Sequence, residues 1–217
     1  GRQKSVAAAR RLGVVSALPD GPSVSLGAGA ATLLEVTGAY AAFAAGGRFT
    51  PPHGIVEVRS RSGDVLYKPT IAATQAIDHA VALRMTNLLA AVVEWGSGRA
   101  ASVDRDAAGK TGTTQRSRDG WFVGYTADLV VGVWVGNDDD TAVEGLTGSG
   151  LPAQIWHDFV AATHDRFAPK PLPGKASYPA RPGQAAAPAP RTDAAATLPA
   201  AKPFVIYQYP NGDRDGG

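Results

Sequence analysis

The sequence predicts an α/β domain in which a β-sheet is flanked by helices, and two observations lead to this fold class. First, residues 107–139 contain a Lys-Thr-Gly-Thr run at 110–113, followed by apolar segments at 121–125 and 129–136 that are rich in β-branched and aromatic residues. This pattern is typical of three consecutive strands, the first of which carries polar groups. Second, apolar residues recur at helical spacing before and after this block.

Four helices are predicted around the strands. The first spans residues 4–12 and is rich in alanine, and the second begins at Thr32, which forms a capping box with Glu35. The third spans 74–95, and the fourth spans 152–166 with a proline in its first turn. The residues predicted to face the core are Leu33, Val36, Tyr40 and Phe43, then Ile77, Val81, Leu88, Val92 and Trp95, and finally Trp156, Phe159 and Val160.

The remainder of the chain is predicted to contain a hairpin and a tail. Residues 55–59 and 65–67 flank a polar turn and predict a small hairpin. Ten of the 16 prolines lie in residues 168–217, with alanine in most of the gaps. Because such a segment cannot form regular ladders and buries little apolar surface, we expect an extended, largely disordered tail after a folded region of 1–167. Residues 204–207 either dock on another surface or form a solvated end.

Composition argues against several classes of function. The formal net charge is +2 and no basic cluster is interleaved with aromatic residues, so nucleic-acid binding is not predicted. The absence of cysteine excludes disulfides, thiolate catalysis and cysteine-ligated metals. No apolar run approaches the roughly 18 residues of a membrane span. Neither a metal nor a cofactor is predicted, because no H-E-x-x-H motif occurs and the four histidines are scattered at His53, His79, His157 and His164.

The Lys-Thr-Gly-Thr run is first compared with a phosphate-binding loop. Gly109, Lys110 and Thr111 match the end of the G-x-x-x-x-G-K-[ST] pattern, but Asp104 stands where the leading glycine is required. That loop must also open into a helix whose amides hold the phosphate, whereas the residues here lead into a turn and a strand. The sequence therefore argues against nucleotide binding.

An anion-binding strand edge explains the same residues better. Lys110 offers an ammonium group, Thr111 and Thr113 offer hydroxyls, and Gly112 lets a ligand approach the backbone closely. Such an edge can hold a carboxylate while its amides pair with an extended peptide.

Several segments around this strand are similar to those of bifunctional, class A penicillin-binding proteins. K-T-G is one of three motifs of penicillin-binding proteins and serine β-lactamases. The resemblance covers about residues 1–165 in the family's order and implies an antiparallel sheet flanked by helices, incomplete here. The segments that carry it are Val24-Ser25-Leu26-Gly27, the Thr32 helix with Tyr40, Phe43, Gly46 and Gly47, Gly98-Arg99-Ala100, 109–114, Asp-Gly-Trp-Phe-Val-Gly-Tyr at 119–125, and Gly-Val-Trp-Val-Gly at 132–136.

The resemblance implies acyl transfer on D-alanyl-D-alanine stem peptides of peptidoglycan. In the family a serine attacks the penultimate carbonyl, D-alanine leaves, and an amine of a neighbouring peptide accepts the acyl group. Carried over by position, Lys110 and Thr111 hold the terminal carboxylate and support proton movement near the nucleophile. Thr113 binds the carboxylate through its hydroxyl and offers its amide to the oxyanion. Gly112 keeps the edge open, and Trp121 either lines the cleft or is a core aromatic. β-Lactam antibiotics are the expected ligands of the full-length protein.

The nucleophile that the resemblance requires is absent from this sequence. No serine has a lysine three residues later, and no S-x-N occurs. We therefore expect both motifs upstream of Gly1, with a glycosyltransferase domain and a membrane anchor further upstream, at the periplasmic face of the inner membrane. The chain alone is expected to be inactive. The strand at 129–136 is expected to have an unpaired edge, because its partner strands would come from the upstream part.

Two alternative functions stay open. One is a D,D-carboxypeptidase or a serine β-lactamase-like hydrolase, which uses water as the acceptor. The other is a non-catalytic module that binds stem peptides. Two nearby features are also open: Arg116 and Arg118 either attract anionic substrate or form an ordinary charged turn, and residues 145–150 are interpreted as a loop.

Overall fold

A computed structural model describes residues 1–163, 166–175 and 205–208. Within these residues the chain forms four helices and eight strands. The helices are α1 (Arg2–Arg11), α2 (Leu33–Ala44), α3 (His79–Glu94) and α4 (Leu151–Thr163). The strands are β1 (Arg48–Phe49), β2 (Val58–Arg59), β3 (Val65–Tyr67), β4 (Thr74–Gln75), β5 (Ala108–Thr113), β6 (Asp119–Tyr125), β7 (Leu129–Gly136) and β8 (Val205–Gln208).

Four of the strands form one antiparallel sheet in the order β5-β6-β7-β8. The prediction of three consecutive strands is confirmed by β5, β6 and β7. The register places Gly112 opposite Trp121, and Trp121 opposite Trp134. β5 is therefore an outer strand, with β6 on one side and no paired strand on the other among the residues described.

Helices cover both faces of this sheet, as the predicted fold class requires. On one face Phe122 and Val133 pack against Trp156 of α4, and the rings of Phe122 and Trp156 meet edge to face with centroids 5.4 Å apart. On the other face Tyr125 and Val130 pack against α2 and α3. Because side chains alternate between the faces of a strand, each strand contributes to both cores.

Helix α2 begins as predicted but buries different residues. Thr32 Oγ1 accepts a hydrogen bond from Glu35 N at 3.2 Å, and Glu35 Oε2 accepts one from Thr32 N at 2.8 Å, which confirms the capping box. The four predicted core residues are half-buried, and two of them, Tyr40 and Phe43, pack against the core that contains Tyr125 and Val130. The helix lies so close to β7 that a Cβ on Gly132 would stand 2.1 Å from Thr37 Oγ1. Only small side chains fit at this contact, so the buried residues are Thr37, Gly38, Ala39, Ala41 and Ala42.

Two predictions about α3 are wrong. The helix begins at His79 rather than Thr74, because Thr74–Gln75 pairs with Arg48–Phe49 and Asp78 Oδ1 caps the helix by accepting from Ala80 N at 2.8 Å. Three of the five residues predicted to face the core are exposed: Val81 at 46%, Leu88 at 62% and Trp95 at 37%. The helix packs instead through a face that carries smaller side chains, namely Ala82, Thr86, Leu89, Ala90 and Val93.

Two further predictions are confirmed around the sheet. β2 and β3 pair as the expected hairpin. In α4, Pro152 lies in the first turn, Trp156 and Val160 are buried, and Phe159 is partly buried. No helix among the described residues has the length and apolar character needed to cross a bilayer.

The chain stays attached to the fold beyond the boundary predicted at residue 167. The strap, defined as residues 166–175, buries Leu172 against α3, and Lys170 Nζ contacts Asp128 Oδ1 at 2.7 Å. Lys175 Nζ lies 2.6 Å from Asp106 Oδ1 and 2.9 Å from Glu94 Oε1. Burial raises the pKa of Asp106, but the hydrogen bonds from Lys175 and from the Leu172 amide, together with the charge of Lys175, outweigh it, so that the pKa of Asp106 is lowered. Positions 176–204 and 209–217, the rest of the predicted tail, lie outside the described residues.

The expectation that β7 has an unpaired edge is wrong for half of that strand. β8 pairs with Leu129, Val130, Val131 and Gly132, four of the eight residues of β7. The backbone N–H and C=O groups of an edge need partners, and the Val-Ile-Tyr sequence of β8 favours extended structure. Residues 205–207 therefore dock on another part of the chain, which is one of the two alternatives predicted for them. Residue 204 is not among the residues that the structure describes.

Candidate functional site

The Lys-Thr-Gly-Thr run lies on β5, at the border of the sheet. Thr114 N donates to Asp119 O at 3.0 Å, so Thr114 and Asp119 form a hydrogen-bonded pair. Bonded and non-bonded pairs alternate along an antiparallel ladder. In this register the backbone N–H and C=O groups of Thr111 and Thr113 therefore point away from β6. An extended ligand can pair with groups oriented in this way.

Lys110 is exposed, and its ammonium group lies at this border. Nζ donates to the carbonyl oxygen of Thr111 at 2.9 Å. An ammonium group has three donors, so two remain available to a ligand after this bond is made. The contact places positive charge beside the outward-facing backbone of the next residue.

The hydroxyl of Thr111 is held by a residue that sequence reasoning missed. Ser97 Oγ and Thr111 Oγ1 lie 2.7 Å apart, and either can donate. Ser97 follows α3, at the point where the chain passes from the helix towards the short turn Arg99–Ala101. The end of α3 is thus connected to the middle of β5 by one hydrogen bond between side chains.

Thr113 is positioned by the loop that precedes α4. Gly148 N donates to Thr113 Oγ1 at 2.9 Å. This bond uses an acceptor lone pair of the hydroxyl and leaves its O–H free to donate. Gly148 lies directly over β5 and β6, since a Cβ on it would stand 2.3 Å from Gly112 O and 2.4 Å from Trp121 O. The loop at 145–150 therefore contributes a contact to the site.

Gly112 and Trp121 form a cross-strand pair beside the threonines. A Cβ on Gly112 would lie 3.2 Å from Trp121 Cβ, which is tight but not a severe overlap. Trp121 is half-buried and shares a sheet face with Lys110, while Thr111 and Thr113 face the opposite side. The tryptophan is thus neither a fully buried core residue nor on the same face as the two hydroxyls.

The site combines a cation with directed donors and contains no metal-binding group. Lys110, Thr111 and Thr113 lie within one strand and present an ammonium group and two hydroxyls. Charge-assisted hydrogen bonds to a carboxylate contribute about 1.5–3 kcal/mol each. Among the described residues no cluster of three or more His, Cys, Asp or Glu side chains could hold a metal ion. The arrangement is therefore suited to binding an anion at a backbone edge.

The two residues that sequence reasoning missed gave only weak signals. Ser97 stands between two glycines after a helical pattern, which indicates a helix end but no function. Gly148 belongs to a glycine-containing loop, and only its close packing against Gly112 shows why a side chain cannot be placed there. Both contacts join segments that are distant in the sequence.

Comparison with known proteins identifies the family. Residues 15–159 match the penicillin binding protein transpeptidase domain. The chain is 37% identical over 134 residues to penicillin-binding protein 4 of Bacillus subtilis, covering 61% of this chain and 22% of that protein. It is 39% identical over 176 residues to penicillin-binding protein 1A of Neisseria meningitidis, covering 76% of this chain and 21% of that protein.

Solved structures give the same result. The penicillin-binding protein PonA1 of Mycobacterium tuberculosis superposes with a TM-score of 0.71 at 29% identity, covering 87% of this chain and 56% of that one. A second PonA1 structure, in complex with penicillin V, has a TM-score of 0.70 at 30% identity and covers 88% and 56%.

The chain spans about a fifth of the length of the curated relatives described above. The matched region nevertheless covers most of this sequence, including β5, β6, β7 and the first nine residues of α4. The resemblance noted from the motifs is confirmed, and the chain belongs to the penicillin-binding protein transpeptidase domain family, with class A proteins among its relatives.

Proposed function

We propose that this chain supplies the substrate-binding strand edge of a D,D-transpeptidase that cross-links peptidoglycan. One observation carries the proposal: β5 is an outer strand on which an ammonium group and two hydroxyls accompany outward-facing backbone groups. A peptide with a terminal carboxylate needs both kinds of group. Its negative charge needs hydrogen-bond donors, and its backbone N–H and C=O groups need a strand with which to pair.

Each residue of the edge has a distinct role in the proposed complex. Lys110 and Thr111 bind the terminal carboxylate of a D-alanyl-D-alanine stem peptide, and Lys110 supports proton movement near the nucleophile. Thr113 donates its O–H to the same carboxylate and its amide to the oxyanion. Loss of one oxyanion-hole donor typically raises a barrier by about 2.7–4 kcal/mol. Gly112 keeps the backbone accessible, and Trp121 borders the edge.

The proposed reaction is acyl transfer with a serine nucleophile outside this chain. The serine oxygen forms an ester with the penultimate D-alanine carbonyl as the terminal peptide bond breaks, and D-alanine leaves with the serine proton. The amine of a second stem peptide then attacks the ester, which forms the cross-link and returns the serine hydroxyl. We propose that the present chain does not catalyse this reaction alone, since its sequence contains no S-x-x-K motif.

The proposed substrate determines the other partners and the location. β-Lactam antibiotics carry a carboxylate beside a reactive carbonyl, so we expect the full-length protein to bind them at the same edge. Peptidoglycan lies outside the cytoplasmic membrane, which places the protein at the periplasmic face, with anchoring supplied by a segment outside this chain.

A binding experiment tests the strand edge directly. We expect an N-acylated peptide ending in D-alanyl-D-alanine to perturb the amide resonances of β5 in an NMR titration, and its C-terminal amide to bind at least tenfold more weakly. Thr113→Val should weaken binding of the acid by about tenfold, because it removes one hydroxyl donor. Thr70→Val is the matched control, since Thr70 is exposed and lies outside the site. Equal affinity for acid and amide would contradict the proposal.

Labelling with a fluorescent penicillin separates catalysis from binding. We expect no covalent adduct on this chain and an adduct once the natural upstream region is restored. If the restored protein binds D-alanyl-D-alanine peptides but is never acylated, the non-catalytic binding module is the correct function. An adduct on the present chain would show that it contains its own nucleophile.

A further inference from the structure

A cavity of about 440 Å³ lies just beyond the residues assigned to the terminal carboxylate. It is formed by the turn that joins β5 to β6 and by the segment that follows β7. Its lining residues are Thr114, Gln115, Arg116, Arg118, Asp119 and Asp140. Because it begins one residue after Thr113, a ligand that lies along β5 and continues in that direction reaches it.

The two arginines of this cavity differ in their partners. Arg118 forms an ion pair with Asp140. Asp119 Oδ1 accepts a hydrogen bond from Trp134 Nε1 at 2.8 Å. Arg116 is exposed, and within the described residues its guanidinium has neither a hydrogen bond nor an ion pair. The lining carries two positive and two negative formal charges, so recognition depends on the five directed donors of Arg116 and not on net charge.

The turn holds Arg116 in an unusual and well-supported conformation. Its φ is 62° and that of Ser117 is 52°, so two consecutive residues other than glycine occupy the left-handed region. Ser117 N donates to Thr114 O at 3.2 Å, and Val143 N donates to Ser117 O at 3.0 Å. Strained backbone persists when its surroundings enforce it, and it is concentrated at functional sites. The turn therefore fixes the backbone from which the Arg116 side chain extends.

The direction of the ligand follows from the strand pairing. A peptide antiparallel to β5, with its carboxylate near Lys110 and Thr111, has its preceding residues opposite Thr113 and beyond. Two extended residues span about 6.6–6.8 Å, so the third residue from the C-terminus lies where the cavity opens. Its side chain is then the first that can enter the cavity.

We propose that Arg116 is a specificity residue that binds a carboxylate on the side chain of the third residue from the peptide's C-terminus. This inference rests on the proposed function, because it uses the same peptide in the same direction. It also resolves the sequence-based alternative: Arg118 belongs to a charged turn, whereas Arg116 is the arginine that recognises substrate.

The test uses two N-acylated peptides that end in D-alanyl-D-alanine and differ only in the preceding residue, which is glutamate in one and glutamine in the other. Dissociation constants are measured by NMR titration of this chain. We expect the glutamate peptide to bind about tenfold more tightly, because its carboxylate forms an ion pair with the Arg116 guanidinium, whereas the glutamine amide is an uncharged acceptor. Arg116→Gln should reduce this ratio to near one, chiefly by weakening binding of the glutamate peptide. Arg61→Gln, at an exposed arginine in the β2–β3 turn, should preserve the ratio.

The outcomes distinguish this inference from the function on which it rests. If the original chain binds both peptides equally, or if Arg116→Gln keeps the preference for glutamate, the role of Arg116 is wrong and the strand-edge function stands. If neither peptide binds the original chain, the proposed function fails and the inference fails with it. An NMR spectrum of Arg116→Gln that matches that of the original chain outside the β5–β6 turn shows that the variant is folded.

Discussion

Gly148 shows how a residue without a side chain positions a functional group. Its amide donates to Thr113 Oγ1, while its Cα lies against the carbonyl oxygens of Gly112 and Trp121. A Cβ at this position would overlap two backbone atoms that belong to paired strands and cannot move independently. The hydrogen bond to the threonine therefore depends on glycine at 148.

We predict that Gly148→Ala lowers the free energy of unfolding by about 1–3 kcal/mol, the usual cost of overpacking, and weakens binding of the D-alanyl-D-alanine peptide. Urea denaturation and NMR titration measure the two effects. Gly150→Ala is the matched control in the same loop, because its Cβ would lie 3.3 Å from Thr147 Oγ1 and 3.6 Å from Thr147 O, without overlap. Equal effects of the two substitutions would show that the close contact at Gly148 is unimportant.

For single residues, the sequence predicted the functional groups of β5 but not the residues that position those groups. Lys110, Thr111 and Thr113 are adjacent in the chain, so their chemistry is visible as a motif. Ser97 and Gly148 act through single hydrogen bonds across 14 and 35 residues of sequence. No local pattern encodes such contacts, because they exist only once the elements have packed.

Among the elements, α2 is joined to the segment before it through one carboxylate. Glu35 closes the capping box and also accepts from Val15 N at 2.7 Å, Ser16 N at 2.7 Å and Ser16 Oγ at 2.5 Å. The hydrogen bond from the Ser16 hydroxyl, followed by that from the Thr32 amide, lowers the pKa of Glu35 to about 2. The ionised form therefore stabilises both the helix start and the loop.

We predict a pH dependence of stability from this carboxylate. Because its folded-state pKa is depressed, Glu35 stabilises the fold fully above its usual pKa of 4.5 and loses that contribution as the pH falls towards 2. The melting temperature of Glu35→Gln should lie below that of the original chain at pH 7, and the difference should shrink between pH 4.5 and 2. Glu144→Gln, at an exposed carboxylate, should show no such change. A difference independent of pH would contradict the role of the charge.

In helix α3 the spacing of the apolar residues predicted the helix but not the face that is buried. The large apolar residues Val81, Leu88 and Trp95 repeat every seven positions, which predicted a core-facing stripe. The structure instead buries Ala82, Leu89 and the residues around them, and Leu89 and Ala90 belong to the same core as Ala108 of β5 and Tyr125 of β6. The start of the helix was also mispredicted, since the pairing of β4 with β1 is not visible in a helical pattern.

The strap makes a testable contribution to stability. We predict that a chain ending at residue 165 is about 2 kcal/mol less stable in urea than one ending at 175. The shorter chain loses the burial of Leu172 and the ion pairs of Lys170 and Lys175. Leu172→Ala in the 175-residue chain should reproduce most of that loss. If both chains unfold at the same urea concentration, the strap adds nothing to stability.

On the scale of the whole molecule, the sheet has two borders with different partners. β5 is open to a ligand at Thr111 and Thr113, whereas half of β7 is paired with β8. β8 is separated from β7 by about seventy residues of sequence, so the sequence left open whether residues 204–207 dock and did not identify the strand with which they pair. The remaining residues of β7, Val133–Gly136 in the sequence, have no strand on that side within the described part of the chain.

We predict that β8 limits self-association of a chain that is itself only marginally folded. Tyr207→Pro, which removes a backbone N–H that faces Val130 of β7, should increase light scattering at a given protein concentration, because the edge of β7 becomes available to other copies. Ala196→Pro introduces the same residue elsewhere in the C-terminal region and is the control. A sharp, reversible thermal transition of a monomer would contradict marginal folding, and equal scattering by both variants would contradict the role of β8.

The alternation of outward-facing groups on β5 also limits how a bound chain can shift. Only every second residue of the strand offers its amide and carbonyl outward, so equivalent positions recur about 6.6–6.8 Å apart. A bound chain that slipped by one residue would place donor against donor and acceptor against acceptor. Insertion of a single methylene into the bound backbone, as in a β-amino acid, therefore cannot be accommodated by sliding. A bound chain can therefore shift along β5 only in steps of two residues.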